Sequence, residues 1–208
     1  MRETSLHGLY LILDERWSEK VCLRDMLLAA ATCGVRLFQY RNKEESMKAA
    51  YTHGLPLRKA AKEAQVQFIV NDRCDLALAL EADGVHLGQD DLPLDLARSL
   101  MGAKPIIGIS THGPEQVEAA TRGGANYLGF GPIFPTATKI DHEPVVGIDG
   151  LKQARARTNL PIFAIGGITI EAIPSLVAAG ADGVAVASAI LNATDVKRTL
   201  HDFLTRLT

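Results

Sequence analysis

The 208-residue sequence predicts an α/β protein of one domain, a (β/α)8 TIM barrel over residues 1–208. Short apolar runs without polar alternation recur along the chain, as in parallel strands buried on both faces, and amphipathic segments separate them. The stretches GANYLGFG at 124–131 and GADGVAVA at 180–187 repeat one unit, a helix end followed by a strand. The alternative, an open doubly wound sheet, is disfavoured because no G-x-G-x-x-G motif follows the first apolar run.

The first half of the chain supplies four strand–helix units. Apolar runs predict strands at 9–14, 36–41, 67–71 and 84–88, and helical spacing follows at 18–33, 44–65, 75–82 and 93–101. Gly34 marks the end of the first helix, and Pro93 suits the first turn of the fourth. Gly54 and Pro56 interrupt the second helical segment, so we expect that helix to break in two.

The second half continues the same alternation. Strands are predicted at 105–110, 127–131, 161–165 and 183–187, and helices at 114–122, 170–179 and 196–207. Gly123-Gly124 and Gly180 mark helix ends. The segment from 132 to about 147 is long for a barrel connection and is predicted to form a lid over the active site. In this fold the active site lies at the C-terminal ends of the strands.

Composition limits the partners of the chain. The net charge is −2 and no basic cluster stands out, so neither nucleic acid nor a membrane surface is an expected partner. No apolar run approaches the ~20 residues of a membrane span, and the first residues do not resemble a signal peptide. The three cysteines, Cys22, Cys33 and Cys74, form no C-x-x-C pair, which favours free thiols in the cytoplasm. A second copy of the chain, in a homo-oligomer, is a further candidate partner.

Acidic residues follow two neighbouring strands. Asp72 comes directly after the third strand, and Asp91 lies shortly after the fourth, so their carboxylates are expected to converge. Converging carboxylates repel each other unless a cation lies between them, and a small set of oxygen ligands suits Mg²⁺. The alternative is that each aspartate caps the helix that follows it.

The second strand ends in QYRNK, residues 39–43. Because side chains alternate along a strand, Gln39, Arg41 and Lys43 are expected to face one side, and Tyr40 and Asn42 the other. Two cations and an amide facing one pocket suit an anionic ligand, since arginine offers phosphate a two-pronged contact and lysine a point charge. The alternative is an ordinary polar strand end with solvated charges.

A second anion site is predicted where strands seven and eight end. Gly166-Gly167 and Ala187-Ser188 each precede a helix, and bare backbone N–H groups at these positions are typical phosphate ligands in barrels. The alternative is a pair of tight turns. In the 132–147 segment, Thr136, Thr138 and Lys139 are candidate donors to phosphate. One alternative is that the segment is a disordered surface loop. Another is that Lys139 forms a Schiff base with a substrate.

Two histidines are weaker candidates. His86 lies within the fourth strand, where packing is its expected role, and His112 lies at the rim of the barrel, where it is better placed for proton transfer or simply belongs to a helix cap. Together the residues predict two anion sites in one mouth, one with a metal ion. This pattern indicates the joining or cleavage of phosphorylated small molecules, one of them a diphosphate.

The motifs QYRNK, FIVNDRCDLALALEADGVHLGQDDLP, IGISTH, GFGPIFPTATK and AIGGI resemble those of the thiamine-phosphate synthase family over residues 9 to 190. The resemblance implies a transferase that condenses hydroxymethylpyrimidine diphosphate with hydroxyethylthiazole phosphate, giving thiamine phosphate and pyrophosphate. Asp90 departs from the glutamate expected in this family, and Asn126 stands where aspartate often precedes the tyrosine.

The resemblance also implies the roles of individual residues. The pyrimidine diphosphate would be held by Gln39, Tyr40, Arg41, Asn42, Lys43, Asn71, Ser110 and Lys139. Mg²⁺ would be held by Asp72 and Asp91, and the thiazole phosphate by Thr136, Ala137, Thr138, Gly166, Ala187 and Ser188. Arg41, Lys43, Ser110 and Lys139 would act in catalysis by stabilising the departing diphosphate. The alternatives are a thiazole tautomerase-like isomerase on the same barrel and a phosphate-binding barrel without chemistry.

Overall fold

The computed structural model describes residues 6–136 and 144–207. Eight parallel strands pair in chain order, and β1 pairs with β8 to close a barrel. This confirms the predicted (β/α)8 architecture. The strands are β1 Gly8–Asp14, β2 Leu37–Arg41, β3 Gln67–Asn71, β4 Gly84–Leu87, β5 Ile106–Thr111, β6 Tyr127–Phe130, β7 Ile162–Ile165 and β8 Gly183–Val186.

Helices follow the strands and pack on the outside of the barrel. They are α1 Leu23–Cys33, α2 Met47–Glu63, α3 Cys74–Ala79, α4 Leu94–Met101, α5 Pro114–Arg122, α6 Gly147–Arg155, α7 Ile173–Ala178, α8 Ser188–Leu191 and α9 Val196–Leu207. The predicted bounds of α5 and α9 are confirmed to the residue. Among the residues described, no helix is both long enough and apolar enough to cross a membrane.

The second helix does not break, which corrects the prediction from Gly54 and Pro56. Pro56 lies inside α2, where it removes one backbone hydrogen bond. The helix nevertheless continues because it buries its apolar face against the barrel. Gly54 belongs to that face: a Cβ there would lie 2.8 Å from Leu80 and 2.9 Å from the Tyr40 ring. Helix packing therefore outweighs the local preference of both residues.

Two helices were not predicted, and α1, α2 and α7 begin three or more residues later than predicted. Helix α6 carries Gly147 and Gly150, which weaken its local signal, and α8 is only four residues long. The predicted helices at 18–33 and 170–179 are preceded or opened by short 3-10 turns at Glu15–Trp17 and Ile170–Ala172. The two 3-10 turns lie in the segments that follow β1 and β7.

The core has two layers. Outside the sheet, apolar residues of the strands pack against the helices in one continuous cluster. Inside the barrel, a smaller cluster contains Tyr10, Ile12, Leu37, Ile69, Ile106, Tyr127, Phe163 and Ala185. The tyrosine and phenylalanine rings of this inner cluster make edge-to-face contacts with centroids 5.2–5.7 Å apart. They form the floor of the barrel mouth.

At the opposite, N-terminal end, three side chains extend the strand pairing in the same way. In each case the residue before an even-numbered strand donates its N–H to a carbonyl at the start of the preceding strand. Its side-chain oxygen accepts the N–H of that same residue at 2.8 Å. We call these arrangements N-terminal clasps. They join Asp83 to Phe68, Asn126 to Ile107 and Asp182 to Ile162, and arginines Arg58, Arg98 and Arg155 bind the respective side chains.

Candidate active site

The barrel mouth holds a cavity of about 290 Å³. Every strand contributes to its lining, from Tyr10 and Asp14 on β1 to Ala185 on β8, because parallel strands bring their C-terminal ends to one rim. The predicted residues that line it are Gln39, Arg41, Lys43, Asn71, Asp72, Asp91, Ser110, Thr136, Gly166, Ala187 and Ser188. Ala137, Thr138 and Lys139 lie outside the described residues.

Asp72 and Asp91 converge at the edge of this cavity. Asp91 accepts the Gly88 N–H at 2.7 Å, and Asp72 pairs with the Lys43 ammonium at 2.8 Å. Burial raises the pKa of the Asp91 carboxyl, and the adjacent Asp72 carboxyl, within hydrogen-bonding reach, raises it further. The Gly88 N–H and Lys43 lower this pKa, but by less, so it stays above its usual value. Two acids in such contact are held close at an electrostatic cost that a cation between them would remove.

Neither aspartate caps a helix, so the capping alternative is wrong. The residue at the N-cap of α3 is Arg73, and that of α4 is Pro93; neither helix has a side-chain cap. Asp72 has a φ of +64°, an uncommon conformation for a non-glycine residue that directs its side chain toward the cavity rim. Within residues 6–136 and 144–207, no group of three or more His, Cys, Asp or Glu side chains is arranged to hold a metal.

Two carboxylates are nevertheless a donor set that fits Mg²⁺. Magnesium binds proteins through one or two carboxylates and completes its shell with water and substrate phosphate oxygens. The cavity beside Asp72 and Asp91 is open to such a ligand, and the basic side chains next to them favour a phosphorylated one. A dedicated cage of protein ligands is not required for this ion.

The basic wall of the cavity is fixed by a residue that sequence reasoning missed. Asp14 ends β1 and lies opposite Arg41 in the strand register. It is 2% exposed and accepts hydrogen bonds from Arg41 at 2.7 Å and from Arg16 at 2.7 and 3.1 Å. Burial alone would raise the pKa of Asp14, but the two arginines outweigh burial and lower it. Asp14 thus stays ionised and holds the Arg41 guanidinium at the rim.

The alternation predicted for β2 places two expected ligands elsewhere. The side chains of Tyr40 and Asn42 do not line the mouth cavity; they point toward α2. The Tyr40 hydroxyl donates to the Ala50 carbonyl at 3.1 Å, and the Asn42 amide donates to Tyr40 and to Glu45. This corrects the expectation that their side chains reach a pyrimidine diphosphate in this cavity, because strand residues next to one another face opposite sides.

The ends of β7 and β8, next to β1 in the closed barrel, carry a glycine backbone suited to a second anion. Gly166 and Gly167 have φ values of +93° and +63° and lie against the segment that follows β6. A Cβ on Gly167 would lie 2.4 Å from the Pro135 carbonyl oxygen, so only glycine fits there. Ala187 and Ser188 follow β8 at the same rim, and Thr136 also lines the cavity.

Histidines lie in two different settings. His86 is 8% exposed, contacts Tyr127 and Ser110, and burial lowers its pKa to about 4, so its ring is neutral near pH 7. His112 lines the cavity, and its ring contacts the Gly131 carbonyl. The alternative that residues 110–112 cap α5 is wrong, because Gly113 holds the N-cap without a side-chain bond. Burial also raises the pKa of Tyr10 and Tyr127, so both keep their hydroxyl hydrogens.

Comparisons with known proteins agree with this geometry. The family model described as Thiamine monophosphate synthase matches residues 9–190. The thiamine-phosphate synthase of Chloroflexus aurantiacus is 45% identical over 188 residues, which cover 90% of this chain and 87% of that protein. The enzyme of that name from Methanospirillum hungatei is 41% identical over 94% of this chain and 95% of its own.

A solved structure supports the same assignment. The thiamine phosphate pyrophosphorylase from Pyrococcus furiosus superposes with a TM-score of 0.86 at 33% identity, covering 98% of this chain and 96% of that one. The family match, the curated relatives and this structure cover the strand ends from which the cavity is built. The chain therefore belongs to the thiamine-phosphate synthase family.

Proposed function

We propose that this protein is a Mg²⁺-dependent thiamine-phosphate synthase that joins hydroxymethylpyrimidine diphosphate to hydroxyethylthiazole phosphate and releases pyrophosphate. The observation that carries the proposal is the Asp72–Asp91 carboxylate pair beside Lys43 and Arg41, in the same cavity as the Gly166-Gly167 backbone. The acid pair with its basic neighbours suits a diphosphate with a divalent ion, and the glycine backbone suits a single phosphate.

Asp72 and Asp91 would hold the magnesium ion. When bound, it would neutralise negative charge that builds on the diphosphate oxygens as the leaving group departs. Burial raises the pKa of Asp91, and the neighbouring Asp72 carboxyl raises it further; a cation bound at this pair would offset both effects.

The side chains of the chain itself would bind and align the diphosphate. Arg41, held by Asp14, would bind two phosphate oxygens, and Lys43 and Lys139 would add point charges. Gln39, Asn71 and Ser110 line the same cavity and would orient the pyrimidine end. Of these residues, Arg41, Lys43, Ser110 and Lys139 would touch the leaving group, so they carry the catalytic role.

The reaction then needs little acid–base chemistry. The bond between the pyrimidine CH₂ and the diphosphate oxygen breaks, and its electron pair leaves on the oxygen. The electron-rich aminopyrimidine stabilises the resulting cation-like carbon, and the thiazole nitrogen lone pair forms the new C–N bond. Stabilising the leaving group and holding two reactants in line account for the catalysis, and alignment alone supplies up to ~7–11 kcal/mol in favourable cases.

The thiazole phosphate would lie against the wall formed by the ends of β7 and β8. Gly166, Ala187 and Ser188 line that wall, and Thr136, Ala137 and Thr138 belong to the segment that would close over it. The phosphate would meet backbone N–H groups there, and the thiazole ring would face the pyrimidine carbon. The tautomerase-like and non-catalytic alternatives have no use for the acid pair or for the Arg41–Asp14 arrangement on the other wall.

One assay separates these alternatives. Both phosphorylated substrates are supplied with and without Mg²⁺, and thiamine phosphate and pyrophosphate are measured. We expect both products in equal amounts and only with the metal; a tautomerase or a simple binder makes neither. Asp72→Asn and Asp91→Asn should each lower kcat/KM by ~100-fold or more. Asp75→Asn, which removes an exposed carboxylate paired with Arg73 outside the cavity, is the matched control.

A cytoplasmic location is part of this proposal. The three cysteines are free thiols, as a reducing compartment favours, and both substrates are small phosphorylated molecules. Cell fractionation tests the location. Sedimentation measures the mass of the protein in solution and so tests whether copies of the chain associate.

A further inference from the structure

A line of hydrogen bonds crosses the interior of the barrel from β2 to β5. The Gln39 amide nitrogen lies 2.8 Å from the Tyr10 hydroxyl, which lies 2.7 Å from the Tyr127 hydroxyl. The Tyr127 hydroxyl lies 2.9 Å from His86 Nδ1, and His86 Nε2 lies 2.9 Å from the Ser110 hydroxyl. Gln39, Tyr10, Tyr127 and His86 are each less than 9% exposed, so most of this line is shielded from bulk water. We call these five residues the interior relay.

With the Gln39 amide nitrogen placed toward Tyr10, the direction of every bond in the relay follows. An amide nitrogen only donates, so the Tyr10 oxygen accepts from Gln39 and passes its own hydrogen to Tyr127. The Tyr127 hydroxyl, having accepted, donates to His86 Nδ1. The His86 ring therefore carries its hydrogen on Nε2 and donates it to Ser110. An imidazolium is excluded, because Tyr127 would then accept from both neighbours and its own hydrogen would have no acceptor among them.

Two glycines leave room for the relay inside a narrow barrel. A Cβ on Gly108 would lie 2.0 Å from the Tyr127 ring, and one on Gly129 would lie 3.1 Å from the His86 ring. Gly108 pairs with both His86 and Tyr127 in the strand register. The absence of a side chain at Gly108 and Gly129 therefore makes room for the Tyr127 and His86 rings.

We propose that Tyr10, Tyr127 and His86 are positioning residues, which make the Ser110 hydroxyl a hydrogen-bond donor to the anionic ligand in the cavity. In the described part of the chain, His86 is the one hydrogen-bond partner of the Ser110 hydroxyl, and Ser110 accepts in that contact. Its own hydrogen is therefore directed to a ligand in the cavity that it lines. This inference rests on the proposed function for the identity of that ligand, a diphosphate.

The competing arrangement reverses the whole relay. If the Gln39 amide were turned over, its oxygen would accept from Tyr10, and each later bond would reverse. Ser110 would then donate to His86 and present only lone pairs to the cavity, which repel phosphate oxygens. The two arrangements differ in one observable: the His86 hydrogen lies on Nε2 in the first and on Nδ1 in the second.

The ¹⁵N chemical shifts of the His86 ring distinguish the two arrangements directly. We expect Nε2 protonated and Nδ1 unprotonated in the full-length protein, with and without inorganic pyrophosphate and Mg²⁺. His86→Asn identifies the signals by their loss. A ring protonated at Nδ1, or at both nitrogens at neutral pH, overturns the proposal. This measurement needs no turnover, so it stands whether or not the proposed reaction is observed.

A double-mutant cycle tests the effect on Ser110. Tyr127→Phe interrupts the relay and should lower kcat/KM ~10-fold in the otherwise unchanged protein. In a Ser110→Ala background the same change should cost less than ~2-fold, because the group that it positions is gone. Equal losses in both backgrounds would mean a structural role only. Tyr51→Phe, which removes the hydroxyl of a 37% exposed tyrosine outside the cavity, is the control and should change kcat/KM less than ~2-fold.

Pyrophosphate affinity gives the same comparison without catalysis. Calorimetric titration with inorganic pyrophosphate and Mg²⁺ should show that Tyr127→Phe weakens binding only when Ser110 is present. If the unaltered protein forms no thiamine phosphate, the proposed function fails and this titration still decides the relay. If it is active and the losses are additive, the relay fails alone. Tyr10→Phe replaces Tyr127→Phe if thermal unfolding shows that the latter does not fold.

Discussion

Asp14 offers the sharpest test of how the basic wall is built. The change Asp14→Asn keeps the shape of the side chain and removes its charge. In the present structure Asp14 is 2% exposed and holds two guanidinium groups, of which Arg41 is 17% and Arg16 is 34% exposed. After the change, an amide N–H₂ group or a single neutral oxygen faces each arginine.

The size of the effect follows from these exposures. Removing one partner of a fully buried ion pair costs roughly 3–5 kcal/mol, because the other charge stays buried without compensation. Arg41 keeps some contact with water and Arg16 keeps more, so we expect a loss of ~2 kcal/mol in the free energy of unfolding. Arg41 also loses its fixed position, and a misplaced guanidinium should lower kcat/KM by ~10–100-fold.

Urea denaturation and steady-state kinetics check both values. Asp149→Asn is the control for stability: Asp149 is 87% exposed in its pair with Lys152, so the change should shift the unfolding free energy by less than ~0.5 kcal/mol. The reasoning is refuted if Asp14→Asn unfolds at the same urea concentration as the unaltered protein. It is refuted for catalysis if kcat/KM stays unchanged while stability falls.

Three further predictions follow from the interior and the base of the barrel. Gly108→Ala should lower the unfolding free energy by ~3 kcal/mol, since its Cβ would lie 2.0 Å from Tyr127, whereas Gly113→Ala, with its nearest contact at 3.7 Å, should cost less than ~1 kcal/mol in urea denaturation. The folded-state pKa of His86 lies below its unfolded value, so the unfolded state binds more protons between pH 6.5 and about 4. The free energy of unfolding should therefore decrease by up to ~3 kcal/mol as the pH falls through that window, compared with His86→Phe at the same pH. Arg155→Met removes bonds to Asp182 and to the Leu160 carbonyl, and should lower the melting temperature while leaving kcat unchanged, because these contacts lie at the end opposite the cavity.

Much of the fold was predictable because its signals are local. Apolar runs without alternation marked every strand, and the bounds of α5 and α9 agree with the prediction. Signals that depend on packing were not visible: α2 passes through Pro56 because its face is buried, and α6 forms despite Gly147 and Gly150. Sequence propensity there competes with burial against the barrel, which a single segment does not reveal.

In the candidate site too, features set by local sequence were predictable and features set by long-range contacts were not. Gln39, Arg41 and Lys43 were predicted to share one face because strand alternation is fixed, and they do line the cavity. Asp14 was missed, although an acid at the end of the apolar run LYLILD was a signal for it. The contact between Tyr10 and Tyr127 joins residues 117 positions apart. Such a contact depends on barrel closure and register, which no local pattern contains.

The N-terminal clasps have a consequence for substitution at the base of the barrel. Asn126 makes the same pair of backbone bonds as Asp83 and Asp182, so the geometry requires a short side chain with one acceptor oxygen and does not require a charge. The departure from the family aspartate at position 126 therefore leaves the strand pairing intact. At this end of the molecule an amide makes the same backbone bonds as an acid, whereas at the mouth the same exchange would remove a negative charge from the proposed magnesium site.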